Sequence, residues 1–426
     1  MAIADVTDDL IRQVLREHLT PSAHITTPER LFGRGQSLTQ IDRALNSSGR
    51  HVFIHGDRGV GKTSLALTAA YLEQPTSSEP IYVVCSESTT FPDLIAAIGR
   101  EAIPLSERFE SDGTPREIGG QAFGFGGTFK PKGSATVNIP EPADMNQAID
   151  IIRFVREKRG AGTVIVVDEL ERVRSESTKS QLAEFSNSLS SAVQDVKFIF
   201  CGIGSTVDAL LGAHRSAFRK IETIALERLR HDELWQIIEA VAEKLGVTVD
   251  RETLIRIGQL SDGFPHYVHL IGESMFWSAF DDEQKITRVG ARHYEAGVRG
   301  ALERTEAEHK SAYQKATQKS KNTFDYELAL WAMADKSDTR RVLESIYEES
   351  YKRIVSQFPL DDDIRPITRE RFNQRLHNLR KDSHGEALIN HGSGWFSFRE
   401  NIMRGYVRLV AESRGIKLAR EHFIPD

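Results

Sequence analysis

The chain has 426 residues, enough for two to four domains with full hydrophobic cores, and its 39% apolar and 27% charged residues are ordinary for a soluble globular protein. A formal net charge of -6 excludes a uniformly basic nucleic-acid coat but not local basic faces. The two cysteines, Cys85 and Cys201, stand far apart in apolar runs, which fits a reducing compartment and excludes a zinc site built on paired thiolates.

Residues 1–27 predict a short amphipathic helix, Asp8 to His18, and a linker. The opening is acidic, with no basic lead-in to an apolar stretch, so no signal peptide is expected. No apolar run approaches the roughly 18 residues needed to span a bilayer, and the expected location is cytoplasmic, away from membranes. From 28 to 226, strands alternate with helices, the pattern of a parallel sheet covered on both faces. The strand candidates are 51–55, 81–85, 163–167, 197–201 and 221–226, each short, β-branched or aromatic, and bounded by polar or glycine punctuation. A glycine-rich stretch at 113–142 carries Phe123, Phe125 and Phe129 at strand spacing and then alternates again, which reads as an inserted hairpin. It serves either as packing or as a contact loop. Residues 227–321 read as a compact helical domain, with a long polar helix from about Thr287 to Lys321 as a spacer. Residues 322–426 form a last domain of helices and one aromatic hairpin.

The stretch Gly56-Asp57-Arg58-Gly59-Val60-Gly61-Lys62-Thr63 matches G-x-x-x-x-G-K-[ST] in full, with a strand before it and a helix after it. Glycines let backbone N–H groups turn inward around phosphates, and the helix that follows presents its positive end to them. Residues Gly56 through Ser64 are thus the expected nucleotide cradle. Lys62 would reach the β- and γ-phosphates and Thr63 would ligate Mg²⁺. A second apolar strand ends in Asp168-Glu169: Asp168 would hold the Mg²⁺ through water, and Glu169 would polarise an attacking water. The expected cofactors are ATP and Mg²⁺.

With these motifs and a helical region after the sheet, the chain resembles the AAA+ and STAND ATPases, nearest to the origin-recognition-like branch with its C-terminal winged helix. The resemblance runs from Leu31-Phe32-Gly33-Arg34 to about residue 415. It implies a P-loop NTPase of the α/β class with sheet order 5-1-4-3-2, a helical lid at 227–321 and a winged helix at 322–426. It also implies further roles. Arg34 would pack near the adenine, although Gly35 stands where STAND members usually carry glutamate. Ser205, after the fourth strand, would orient the γ-phosphate. Arg219, with Arg215 in reserve, would complete a neighbouring subunit's site in a homo-oligomer. Pro265, of Gly263-Phe264-Pro265, would contact the nucleotide. His266 follows that proline where many AAA+ motors place an arginine. Less charge is then available to the γ-phosphate in the transition state, so slow hydrolysis and a switch role are expected rather than a fast motor.

The tail reads as helix, turn, two short strands joined around Gly392-Ser393-Gly394, and helix, the layout of a winged helix. From Arg365 to Arg420 there are 12 Lys/Arg against 5 Asp/Glu, a local +7 inside an acidic protein. Such an excess suits duplex phosphates, with Arg369, Arg371, Arg375, Arg380 and Lys381 on one helix. The expected function is an ATP-binding, slowly hydrolysing switch whose ATP or ADP state controls assembly and engagement of double-stranded DNA through 365–420. The alternative is a signalling or scaffold ATPase, for instance in antiphage defence, whose tail binds an effector protein and no DNA.

Overall fold

A computed structural model describes residues 2–74, 79–104, 109–111, 129–131, 139–204, 220–318, 323–359 and 364–418. The chain forms two compact units: Arg34–Gly56 with Lys62–Leu226, and Met1–Gly33 with Asp57–Gly61 and Glu227–Asp426.

The first unit is built on five parallel strands, β1 (His51–His55), β2 (Ile81–Val84), β5 (Val164–Asp168), β6 (Lys197–Gly202) and β7 (Ile221–Ala225). They are ordered β2-β5-β6-β1-β7, which is the 5-1-4-3-2 order expected when the five are counted along the chain. Strands β1 and β5 are nearly continuous apolar runs because both faces of the sheet are covered. The core forms where Phe53, Ile165, Val167, Phe198 and Phe200 of the strands meet Leu94, Ile98, Ile152, Leu182 and Phe185 of the helices. Capping fixes where those helices start: Thr90 and Asp93 close a reciprocal box before Phe91–Glu101, Asp144 caps Met145–Arg159, and Ser175 caps Glu176–Ala192. Each crossover therefore returns the chain in register, and the ends of β1 and β5 come to carry the two nucleotide motifs.

The inserted hairpin is seen only as β3 (Phe109–Ser111) paired antiparallel with β4 (Phe129–Pro131), so its first strand starts before residue 113. Phe123, Phe125 and the alternating stretch at 134–138 lie outside the described residues.

In the second unit the N-terminal helix runs Asp8–His18 as expected, started by the Thr7 hydroxyl, and buries Ile11, Val14 and Leu15. Helices His231–Lys244, Arg251–Ser261 and Pro265–Phe280 follow, with a short parallel pair, β8 (Thr248–Val249) and β9 (Arg288–Val289). The long spacer helix expected over Thr287 to Lys321 is instead two helices, Ala291–Arg304 and Ala307–Thr317. The break falls at Thr305, whose extended backbone ends the first helix while its hydroxyl takes the Ala301 carbonyl. Nor is the segment a solvated spacer. Tyr294, Val298, Ala301, Tyr313 and Ala316 are buried, a one-sided apolar stripe hidden by the many charges between them.

The tail continues with helix Thr323–Ala334, strand β10 (Arg340–Val342), helical segments through Val355, helix Arg369–Asn378, strands β11 (Leu388–Asn390) and β12 (Trp395–Phe398), and helix Ile402–Ser413. The aromatic hairpin is extended by β10 into a three-stranded sheet ordered β10-β12-β11.

Candidate functional site

In the first unit the helix after β1 begins at Lys62, so the loop between them is the phosphate-cradle sequence itself. Lys62 is buried and its Nζ donates to the Gly56 carbonyl at 3.1 Å, which folds the side chain back over the loop's entry. Thr63 Oγ1 donates to Asp168 Oδ2 at 2.6 Å, and Tyr82 OH donates to the same oxygen at 3.2 Å. Asp168 is thereby buried and fixed at the end of β5. Burial first, and then the Asp168 charge, push the Tyr82 hydroxyl well above its ordinary pKa, so it remains a donor. Glu169 adopts a left-handed conformation, φ 55°, uncommon for a residue with a side chain, and Oε2 of its carboxylate meets Arg172 at 2.7 Å. Ser64 is the third residue of the same helix. Arg34 is buried at the N-cap of helix Gly35–Leu45.

The tip of the loop, Asp57–Gly61, is held within the second unit. Asp57 Oδ2 accepts from Arg228 at 3.1 Å and from Asn401 Nδ2 at 2.9 Å. Arg58 pairs with Glu308 at 3.1 Å and lies 3.9 Å from Glu400. Gly59 has φ +84°, a conformation that favours glycine, and a Cβ there would come within 2.5 Å only of the movable Cδ1 tip of Ile402. Val60 is buried. Gly61 is also left-handed, at φ +96°, and leads into Lys62.

Pro265 opens helix Pro265–Phe280, preceded by Gly263 at φ +82°. Arg228 runs against Gly263 and sets its guanidinium over the Phe264 ring at 4.8 Å. His266 Nδ1 donates to the Pro21 carbonyl at 3.1 Å, so its ring fastens the N-terminal linker. Burial lowers its pKa, which leaves it a neutral group rather than a substitute for an arginine. Ser205, Arg215 and Arg219 lie outside the described residues.

Sequence reasoning missed the centre of this arrangement. Asp262, left-handed at the end of helix Arg251–Ser261, accepts from Arg228 at 2.9 Å, from Arg404 Nε at 2.7 Å and from Arg408 Nη1 at 2.9 Å. Burial alone would raise its pKa, but Arg408, Arg404 and Arg228 outweigh that and hold it below the usual carboxylate range. Arg404 and Arg408 also donate to the carbonyls of Ser337 and Asp338, and of Ala334, Lys336 and Gln259. Both were counted into the basic tail, yet each is only 2% exposed, so neither can reach a duplex phosphate. The signal was present: two arginines four apart, set among the apolar residues of the first three turns of helix Ile402–Ser413, sit on one face of it. Arg375 is likewise spoken for, by Asp325 at 2.9 Å and by the Tyr326 ring.

The family model described as an AAA ATPase domain matches residues 30–199. Over those residues the chain is similar to an AAA ATPase domain, and it is an ATP-hydrolysing P-loop enzyme. Among solved structures it is similar to the Walker-type ATPase paby2304 of Pyrococcus abyssi, at 16% identity and a TM-score of 0.54, with 91% of this chain and 99% of that chain covered. It is also similar to the ORC2 protein of Aeropyrum pernix in ADPNP and ADP complexes, at 14% identity and a TM-score of 0.47, covering 95% and 98%. The Aeropyrum pernix ORC1 protein in complex with DNA matches at 16% identity and a TM-score of 0.45, covering 95% and 96%. No curated protein matches the chain. At these identities the likeness is one of fold. No helix among the described residues is long and apolar enough to cross a membrane.

Proposed function

We propose that the chain is a switch ATPase, in which ATP bound at Gly56–Ser64 is hydrolysed slowly and its state is read by the tail. The carrying observation is the chain of charges inside the second unit: Asp57 of the phosphate loop to Arg228, Arg228 to Asp262, and Asp262 to Arg404 and Arg408 of the last helix. A loop whose acid is held by Arg228 and Asn401 shifts only if those partners shift, which couples phosphate binding to the tail.

In this reading Lys62 neutralises the β- and γ-phosphates, and Asp168 and Thr63 hold Mg²⁺. The paired oxygens of Thr63 and Asp168 suit a hard cation that takes its other ligands from phosphate and water, and among the described residues no group of three His, Cys, Asp or Glu would cage one alone. The cation would neutralise charge developing on the phosphoryl oxygens. Glu169 orients the attacking water, while Arg34 and Pro265 border the nucleotide.

The tail is proposed as a winged helix, with Arg369–Asn378 as its exposed helix and β11–β12 as its wing. Arg371, Arg380 and Lys381 are its exposed cations for duplex phosphates. The second reading, a tail that binds a protein partner, draws on the internal use of Arg404, Arg408 and Arg375.

Hydrogen exchange of Ile402–Ser413 without nucleotide, with ADP and with a non-hydrolysable ATP analogue tests the switch. Protection should differ among the three, and identical protection overturns it. Lys62→Ala should abolish nucleotide binding in calorimetry, and an unchanged affinity would overturn the assignment of the loop.

A further inference from the structure

Asp168 at the end of β5 is 4% exposed, and its carboxylate accepts from three donors. Thr63 Oγ1 and Tyr82 OH both donate to Oδ2, at 2.6 and 3.2 Å, and the Glu169 N–H donates to Oδ1 at 2.8 Å. Thr63 and the Glu169 backbone come with the two nucleotide motifs. Tyr82 does not: it belongs to β2, outside both.

The register explains how β2 supplies this donor. Val84 lies directly beside Asp168, and residues two apart on a strand share a face, so Tyr82 stands on the face that carries the carboxylate. Two residues of strand span about 6.6 Å, within reach of a phenol hydroxyl and beyond that of a serine or threonine. Val84 is nearer but has no side-chain donor. β2 also ends the sheet order, so among the described strands none lies beyond it to steady Asp168 from that side. In the reading above Thr63 ligates the same cation as Asp168, and its hydroxyl has two partners to serve. Tyr82 stands outside the proposed ligands, as a donor that can hold the acid while the ligands are engaged. Hydrogen bonds of this kind fix the orientation of a carboxylate that binds metal.

We propose that Tyr82 is a positioning residue for the cation: its hydroxyl holds the Asp168 carboxylate in place for Mg²⁺ and acts through Asp168 alone.

This inference rests on the nucleotide site proposed above, and the test separates the two. The fluorescence of mant-ATP on the full chain is followed in EDTA and then through a Mg²⁺ titration, for wild type, Tyr82→Phe, Asp168→Asn and the double variant. The thermal midpoint without nucleotide is measured beside it. Tyr82→Phe keeps the ring, so mant-ATP affinity in EDTA and the thermal midpoint should match wild type. The Mg²⁺ concentration at half-saturation should rise about tenfold, the low end of what the hydrogen-bond partner of a metal-binding carboxylate contributes. On the Asp168→Asn background the same change should add less than about twofold, because the group it acts through is gone. A shift below about twofold in Tyr82→Phe alone overturns the proposal. A shift of undiminished size on the Asp168→Asn background also overturns it, since the hydroxyl then acts elsewhere. Loss of affinity in EDTA together with a lowered thermal midpoint makes Tyr82 structural and overturns it as well. Wild type that binds no mant-ATP overturns the nucleotide site, and this inference with it.

Discussion

Arg371 and Arg408 belong to one basic segment, and by charge count they are equivalent. Arg371 is exposed on helix Arg369–Asn378, whereas Arg408 is 2% exposed and bound to Asp262 and three carbonyls. The first is a solvated cation available to an anion. The second is a structural ion whose desolvation is offset only because every donor has a partner, and burial brings its pKa down to about 10. Net charge over a window therefore overstates what a surface can offer. Burial decides which charges a partner can meet.

The comparison breaks most sharply at Asp262. Asp262→Ala leaves Arg404 and Arg408 buried without their anion, and loss of one partner from a buried pair costs about 3–5 kcal/mol. Arg371→Ala, with no such penalty, should stay within about 0.5 kcal/mol of wild type. Urea unfolding measures both, and equal effects would erase the distinction. Because the Asp262 pKa is lowered in the fold, its contribution is present above the unfolded value of about 3.9 and fades as pH falls through the lower folded value.

A second pair of buried groups sharpens the contrast, one in each unit. His51 on β1 accepts from the Phe198 N–H at Nδ1 and has Nε2 against Ser190, and burial, then Lys197 and Lys220, lower its pKa to about 3. His269 accepts from the Thr20 N–H, and burial, then His266, lower its pKa to about 4. Both fold only as neutral rings. Their stabilising contribution is full above about pH 6.5, the unfolded value, and declines as pH falls toward the folded values. Each should add about 1.4 kcal/mol per pH unit to the loss of stability between roughly pH 6 and 4. Urea midpoints across that range, for wild type and His269→Gln, measure the slope, which should be shallower by one proton in the variant.

The P-loop core was legible because its signals are local. β1 and β5 are apolar runs that end in fixed motifs, and sheet order followed from the resemblance those motifs carried. Thr63 and Asp168, 105 residues apart in sequence, meet at 2.6 Å because the two motifs stand at the ends of strands of one sheet. What the sequence hid is long-range and ionic. Asp262 precedes Gly263 in the sequence, and its three arginines come from the linker after β7 and from the last helix. Nothing in the local pattern pairs them. The spacer helix failed for a related reason, since its buried stripe of Tyr294, Val298 and Ala301 is diluted by charges on the solvent side.

The smallest expected effect is also the one that tests the surface side of the comparison. If the exposed cations of the proposed winged helix meet duplex phosphates, affinity falls with salt because bound counterions are released, with a slope of about -0.9 per phosphate contact. Arg371→Ala with Arg380→Ala should therefore make that slope shallower by about two while leaving folding unchanged. Arg375→Ala should do the reverse. Its guanidinium already pairs with Asp325 at 2.9 Å and lies over Tyr326 at 5.2 Å, so the substitution should lower stability and leave the salt slope alone. The measurement is binding to a random-sequence duplex at several salt concentrations, with ATP and with ADP. If wild type binds no duplex at low salt in either state, these arginines are only a solvated face and the protein-partner reading of the tail stands in its place. If Arg375→Ala alone flattens the slope, the internal pair opens on binding, and burial in this structure is then a poor guide to which charges the partner meets.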